Sequence, residues 1–248
     1  MPSYYIGLSL LSNNAAKASG QRVLLSAEGR RILSRLKNQL SPDKGIPDLS
    51  SNESSNIQVE KSGRPYFPGS EVDFNISHSG SLTAVSLVSG GKQRTGCDVE
   101  LIRTRSNVKA IVENFFSASE RDYIFAESPP YTRFFQIWTL KECFLKLRGL
   151  SVFDLHKAPS FVAGGQFVFN VAVPSPILFS LYELSNDSGG PSGQRYILAA
   201  AIEGNLQLKP EIRMFTQPAT PSPPSLFCKI IAEIKAAPSP AETVIPKT

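Results

Sequence analysis

The sequence predicts an α+β protein built as two α+β halves, and three observations lead there. Strand-type and helix-type runs occur on both sides of the sharp turn at Gly90–Thr95. The second side carries a helix, within Phe134–Gly149 (FFQIWTLKECFLKLRG), that is too apolar to face solvent. From Thr216 onward the composition turns to Pro and Ser, which sets a tail apart from both halves. The boundaries that follow are 1–95, 96–215 and 216–248.

In chain order, Tyr4–Leu11 reads as a first strand and Asn13–Asn14 as a polar turn. Gln21–Leu40 reads as one basic helix whose apolar members include Val23, Leu24, Ile32, Leu33 and Leu36. Ser41–Asn56 has the Ser, Asn, Asp and Pro content of a loop. Ile57–Glu60, Val72–Ile76 and Leu82–Val88 are short strands, the first two separated by the turn SGRPYFPG. Gly96–Leu101 is the next strand. Asn107–Phe116, Ser119–Phe125 and Tyr131–Arg148 are helices, with Ser119 read as an N-cap and Pro129–Pro130 as a break. Ser160–Ala163, Gln166–Val173, Ile177–Leu184 and Tyr196–Ile202 are rich in β-formers. In the tail, QPATPSPPS and APSPAETVIPKT are disordered in composition and bracket an expected amphipathic helix, Leu226–Ala236.

The 248 residues are 41% hydrophobic and 19% charged, the balance of an ordinary globular protein. No apolar run approaches the ~18 residues of a membrane span, and the amino terminus lacks a signal peptide's basic segment and cleavage site. Three cysteines without CxxC spacing make neither a disulfide framework nor a zinc site, so a reducing cytoplasm is expected. A net charge of +5 favours an anionic partner. The chain has no basic block of the kind that marks nucleic-acid binding.

The chemistry concentrates in two places. Ile137, Leu140, Phe144 and Leu147 recur at helical steps, and Glu142 and Lys146 lie one turn apart on the other side. Such a pair can satisfy itself, but an unpaired charge in a buried helix costs several kcal/mol, so both residues need a reason to be there. In GCDVE, strand alternation sends Asp98 and Glu100 to one face. Two adjacent carboxylates repel unless a cation lies between them. With Glu142 they supply three hard oxygen ligands, the partial shell that holds Mg²⁺ and leaves positions for water and phosphate. His78, in FNISHSG, lies between a strand and a Ser/Gly turn, where ring nitrogen and backbone N–H groups suit a phosphate.

Five motifs in order, Gly63-Arg64-Pro65-Tyr66, Phe74–Gly80, Gly96–Glu100, Phe115-Phe116-Ser117 with Glu120, and Trp138–Lys146, resemble the 4′-phosphopantetheinyl transferases of the Sfp type. The resemblance runs from about Arg22 to about Ile202. It implies a pseudo-twofold pair of α+β subdomains with the active site in the cleft between them. It implies transfer of 4′-phosphopantetheine from coenzyme A to a serine of an apo acyl or peptidyl carrier protein, with release of 3′,5′-ADP. The resemblance puts Mg²⁺, or Mn²⁺ in its place, on Asp98, Glu100 and Glu142, and makes Glu142 the base, with Lys141 and Lys146 at the phosphates. It puts Ser77 and His78 on the nucleotide phosphates, Arg64 and Pro65 by the adenine, and Arg22 at the 3′-phosphate. Arg64 stands where the family usually has Lys, which changes the donor geometry. The implied protein is a cytoplasmic monomer of fatty-acid, polyketide or nonribosomal-peptide biosynthesis with an acidic carrier-protein partner. The basic, aromatic segment Arg103–Phe125 is the expected docking surface, with Phe115 and Phe116 read as core. The alternative is a non-catalytic coenzyme A or carrier-protein binding module of the same fold.

Overall fold

A computed structural model describes residues 2–11, 21–40, 57–169, 172–186, 193–215 and 226–236. The first sheet has the order β11-β1-β5-β4, from β1 (Ser3–Leu10), β4 (Val72–Ser79), β5 (Leu82–Ser89) and β11 (Glu211–Met214). The second has the order β12-β9-β10-β6, from β6 (Arg94–Leu101), β9 (Ile177–Asn186), β10 (Arg195–Glu203) and β12 (Leu226–Ala236). Two short hairpins complete the strands: β2 (Gln58–Val59) with β3 (Pro65–Tyr66), and β7 (Val162–Ala163) with β8 (Gln166–Phe167).

The halves share one plan. Strand β1, helix α1 (Gln21–Lys37), β4 and β5 form the order β1-β5-β4, all antiparallel. Strand β6, the helices, β9 and β10 repeat it as β6-β10-β9. This is the expected pair of similar α+β subdomains. β11 lies late in the chain yet returns to pair in parallel with β1, so the first sheet is completed by residues beyond 96.

Alternation along the strands builds four layers. Ile6 and Leu8 of β1, Leu82, Ala84 and Val88 of β5, and Leu198, Ala200 and Ile202 of β10 form one core between the sheets. The opposite faces meet helices. Phe74, Val85 and Leu87 pack on Ile32, Leu33 and Leu36 of α1. Ile197, Ala199 and Phe179 pack on α4 (Tyr131–Leu147). Most of α4 is buried, as its apolar content predicts. It rides directly on β6, because a Cβ at Gly96 would lie 2.7 Å from the Cys143 carbonyl oxygen. Only a glycine there lets helix and strand approach so closely.

Several elements depart from expectation. Leu226–Ala236 is a strand, not a helix: Ile234 and Ala236 are buried while the segment pairs along β9. Its β-branched residues and the edge of β9 outweigh a pattern that suits either period. The expected Gln166–Val173 strand shortens to Gln166–Phe167. Helix α3 (Ala118–Phe125) is capped by Ser117 rather than Ser119, with Glu120 closing the capping box. After α2 (Val108–Phe115), Phe116 is core but Phe115 is 46% exposed. Residues 12–20, 41–56, 216–225 and 237–248, with the turn, loop and tail expected there, lie outside the described residues.

Glu120 ties α3 to α4. Its carboxylate accepts from the Ser117 and Phe161 backbone N–H groups, each at 2.9 Å, and pairs with Lys141 at 3.1 Å. The Lys141 ammonium also donates to the Pro159 carbonyl at 2.9 Å. Burial lowers the Lys141 pKa, against the pull of Glu120. Removing one partner of a buried pair strands the other's charge. Lys141→Met is expected to cost about 3 kcal/mol in urea-induced unfolding, the low end for such pairs because two N–H donors remain on Glu120. A loss under about 1 kcal/mol, the scale of an exposed pair, would refute a structural role.

Candidate active site

The site lies where β4 and β6 meet. The two strands do not pair through their backbones. Instead, alternate side chains of β4 accept the outward N–H groups of β6: Asp73 from Thr95 (2.7 Å), Asn75 from Cys97 (3.2 Å), Ser77 from Val99 (3.3 Å) and Ser79 from Leu101 (3.1 Å). Period-2 alternation puts Phe74, Ile76 and His78 on the other face of β4, toward α1. The intervening β6 residues, Asp98 and Glu100, project toward α4.

Two of these serines also hold the carboxylates. The Ser77 hydroxyl donates to Asp98 Oδ1 at 2.8 Å, and the Ser79 hydroxyl to Glu100 Oε2 at 2.7 Å. Lys146 of α4 completes the knot, donating to Asp98 Oδ1 at 2.6 Å and to the Ser77 hydroxyl at 2.9 Å. Burial works against the Lys146 charge, but Asp98 outweighs it and raises its pKa above the usual lysine value. The other Asp98 oxygen, Oδ2, is buried with no partner among the described residues.

Glu142 is the uncompensated acid. No hydrogen bond or ion pair to its carboxyl exists among the described residues. Burial first, then the charges of Asp98 and Glu100, push its pKa up to about 7, against Lys146 and Arg105. Burial and Asp98 likewise raise that of Glu100. Arg105 is seated over the Trp138 ring at 5.0 Å, one turn before Glu142, and its Nε donates to Asn107.

The structure therefore brings Ser77, Asp98, Glu100, Glu142 and Lys146 together. Other expected site residues fall elsewhere. Lys141, expected at the phosphates, is buried against Glu120 on another side of α4. The step of five residues to Lys146 is about 140° around the helix, which sends the two ammonium groups apart. Arg64 is 5% exposed, and both terminal nitrogens of its guanidinium are engaged, while its buried Nε has no partner among the described residues. The terminal nitrogens donate to the Lys146 carbonyl (2.5 Å), Asp73 (2.6 Å), and the Thr95 (2.7 Å) and Phe74 (3.3 Å) carbonyls. Arg64 thus clasps β4, β6 and the end of α4 rather than offering a free charge. It lines a cavity of about 160 Å³ with Pro65, Asn75, Lys146, Gly149 and Leu150. His78 is half-buried on the α1 face of β4, away from Ser77. Arg22 lies in α1, but its side chain is outside the described residues. Sequence reasoning missed Ser79, Asp73 and Asn75. Their signal was the polar alternation Asp73, Asn75, Ser77, Ser79 within an otherwise apolar strand.

Comparison with known proteins bears on this arrangement. Residues 94–196, the span from β6 into β10, match the family described as the 4′-phosphopantetheinyl transferase superfamily. The 4′-phosphopantetheinyl transferase AcpT of Salmonella typhi is 33% identical over 163 residues, 62% of this chain and 77% of that protein. AcpT of Escherichia coli K12 is 38% identical over 96 residues, 38% of this chain and 48% of the relative. The 4′-phosphopantetheinyl transferase gsp of Aneurinibacillus migulanus is 27% identical over 151 residues, 58% of this chain and 60% of the relative. With four carboxylate and lysine positions of the cleft inside the matched span, and a relative covered over three quarters of its length, the chain belongs to the 4′-phosphopantetheinyl transferase superfamily.

Proposed function

We propose that this chain is an Sfp-type enzyme that moves 4′-phosphopantetheine from coenzyme A to a serine hydroxyl of an apo carrier protein, releasing 3′,5′-ADP. The observation that carries the reading is the cleft's excess of acid: three carboxylates facing one lysine, with an orphaned oxygen on Asp98. That excess calls for a hard divalent cation. Among the described residues no three such groups are already gathered closely enough to enclose an ion. Asp98 and Glu100 are held by serines, whereas Glu142 has no hydrogen bond among the described residues. The donor chemistry fits Mg²⁺, which Asp98, Glu100 and Glu142 would hold. Mg²⁺ bound there would neutralise charge on the diphosphate and polarise its oxygens.

The chain's own residues supply the rest. A serine hydroxyl is a poor nucleophile and needs a base in hydrogen-bond reach. Glu142, the one of the three carboxylates that no serine hydroxyl holds, is the residue proposed as that base. Lys146 remains charged beside Asp98 and can face the negative charge that grows on the transferred phosphoryl and the departing 3′,5′-ADP. The cavity between Arg64, Pro65 and Lys146 borders the cleft where the adenine end of coenzyme A is proposed to lie. The alternative, a binding module without catalysis, is disfavoured by the intact carboxylate set.

The direct test is mass spectrometry of an apo carrier protein incubated with the chain, coenzyme A and Mg²⁺. Addition of one phosphopantetheine to a serine is expected, and no addition would overturn the reading. Asp98→Asn keeps the size of the side chain but removes the charge that Lys146 and the cation share. It is expected to lower Mg²⁺-dependent turnover at least about 10²-fold. Turnover at the wild-type level with unchanged metal dependence would remove Asp98 from the site.

The carrier is expected to be acidic, and Lys109 and Arg121 are the cations that α2 and α3 could offer it. Lys109 is well exposed, with a loose 3.8 Å pair to Glu113. Phe115 and Phe125 are the exposed aromatics beside it. Reversing Lys109 and Arg121 to Glu is expected to raise KM for the carrier several-fold at low salt and leave KM for coenzyme A unchanged. Unchanged carrier kinetics would place docking elsewhere.

A further inference from the structure

Each carboxylate of β6 is gripped by a serine of β4, but the two grips differ in strength. Asp98 Oδ1 has both Ser77 and Lys146. Glu100 has one hydrogen-bond partner among the described residues, the Ser79 hydroxyl at 2.7 Å. That hydroxyl cannot turn freely. Its oxygen accepts the Leu101 backbone N–H at 3.1 Å, which leaves its proton directed at Glu100. Lys146, and more weakly the exposed Arg103, act on Glu100 as charges without a hydrogen bond to it among the described residues. Without Ser79, repulsion from Asp98 would swing the Glu100 side chain toward water.

We infer that Ser79 is a positioning residue that aims Glu100 at the cation, so that the first half of the molecule sets a metal ligand of the second. The inference rests on the metal reading of the cleft. A ligand carboxylate oriented by an outer hydrogen bond is a recurrent device, and loss of such a partner typically weakens metal affinity about 10–100-fold. The effect belongs to Glu100 alone. Asn75 forms an equivalent rung of the same row, to the Cys97 N–H, without touching a carboxylate.

The test is Mg²⁺ binding by isothermal calorimetry to the full chain with coenzyme A present, read beside metal-free thermal unfolding. Ser79→Ala is expected to weaken Mg²⁺ at least about tenfold. Ser79→Cys, nearly the same shape with a weak donor, is expected to do the same and covers the case in which the alanine variant does not fold. Ser79→Thr restores the hydroxyl and is expected to restore affinity. Ser81→Ala, which removes a buried hydroxyl bonded to Gln194 and Tyr196, is expected to lower thermal stability while its Mg²⁺ affinity stays within about twofold of wild type, as a hydroxyl that touches no carboxylate should. Wild-type Mg²⁺ affinity in the alanine or cysteine variant would overturn the inference, as would equal losses in the Ser79 and Ser81 variants. Wild-type protein that binds no Mg²⁺ would overturn the metal reading, and this inference with it.

Discussion

Four N–H groups on the free edge of β6 decide how this molecule is put together. An edge strand normally offers them to water or to another strand. Here Asp73, Asn75, Ser77 and Ser79 take them, at a constant offset of 22 residues. A buried N–H left unmet costs about 1–3 kcal/mol, so a one-residue slip of β4 against β6 would forfeit the whole row. The row therefore fixes the register between two halves that share no backbone ladder at this seam. Arg64 reinforces it, joining Asp73 of β4 to the Thr95 carbonyl of β6 and the Lys146 carbonyl of α4.

The site is a by-product of that register. The residues of β6 that lie between the capped N–H groups are the two carboxylates, and the serines that cap also orient them. Gly96 then lets α4 settle onto the strand and brings Glu142 and Lys146 over Asp98 and Glu100. The result is an excess of negative charge in a half-buried cleft with one lysine to balance it. Such an arrangement costs stability in isolation, a cost that the proposed cation would offset.

Much of this was legible in the sequence, and the limits have physical causes. Helix α4 and the Asp98–Glu100 pair were readable because period and alternation are local properties. The β4 row was not read as such. A side chain that caps a distant N–H leaves no periodic partner in the sequence, so Ser77 looked like a phosphate ligand alone and Ser79 like a turn residue. Lys141 was misassigned because its side of α4 depends on where α3 packs, and Glu120 lies about 20 residues away along the chain. Arg64 looked like a free cation until three backbone carbonyls were brought to it by the fold. In Leu226–Ala236 the letters LFCKIIAEIKA suit a helix or a strand, and the exposed edge of β9 settles the matter.

The claim that the β4 row locks the two halves is tested most directly by amide hydrogen exchange at β6, resolved by NMR. Slow exchange is predicted at Thr95, Cys97, Val99 and Leu101, comparable with the β10-facing amides of Gly96, Asp98 and Glu100. In an Asn75→Ala protein the protection at Cys97 should fall first. Exchange at all four amides as fast as on an open strand edge, in the wild-type protein, would contradict the account.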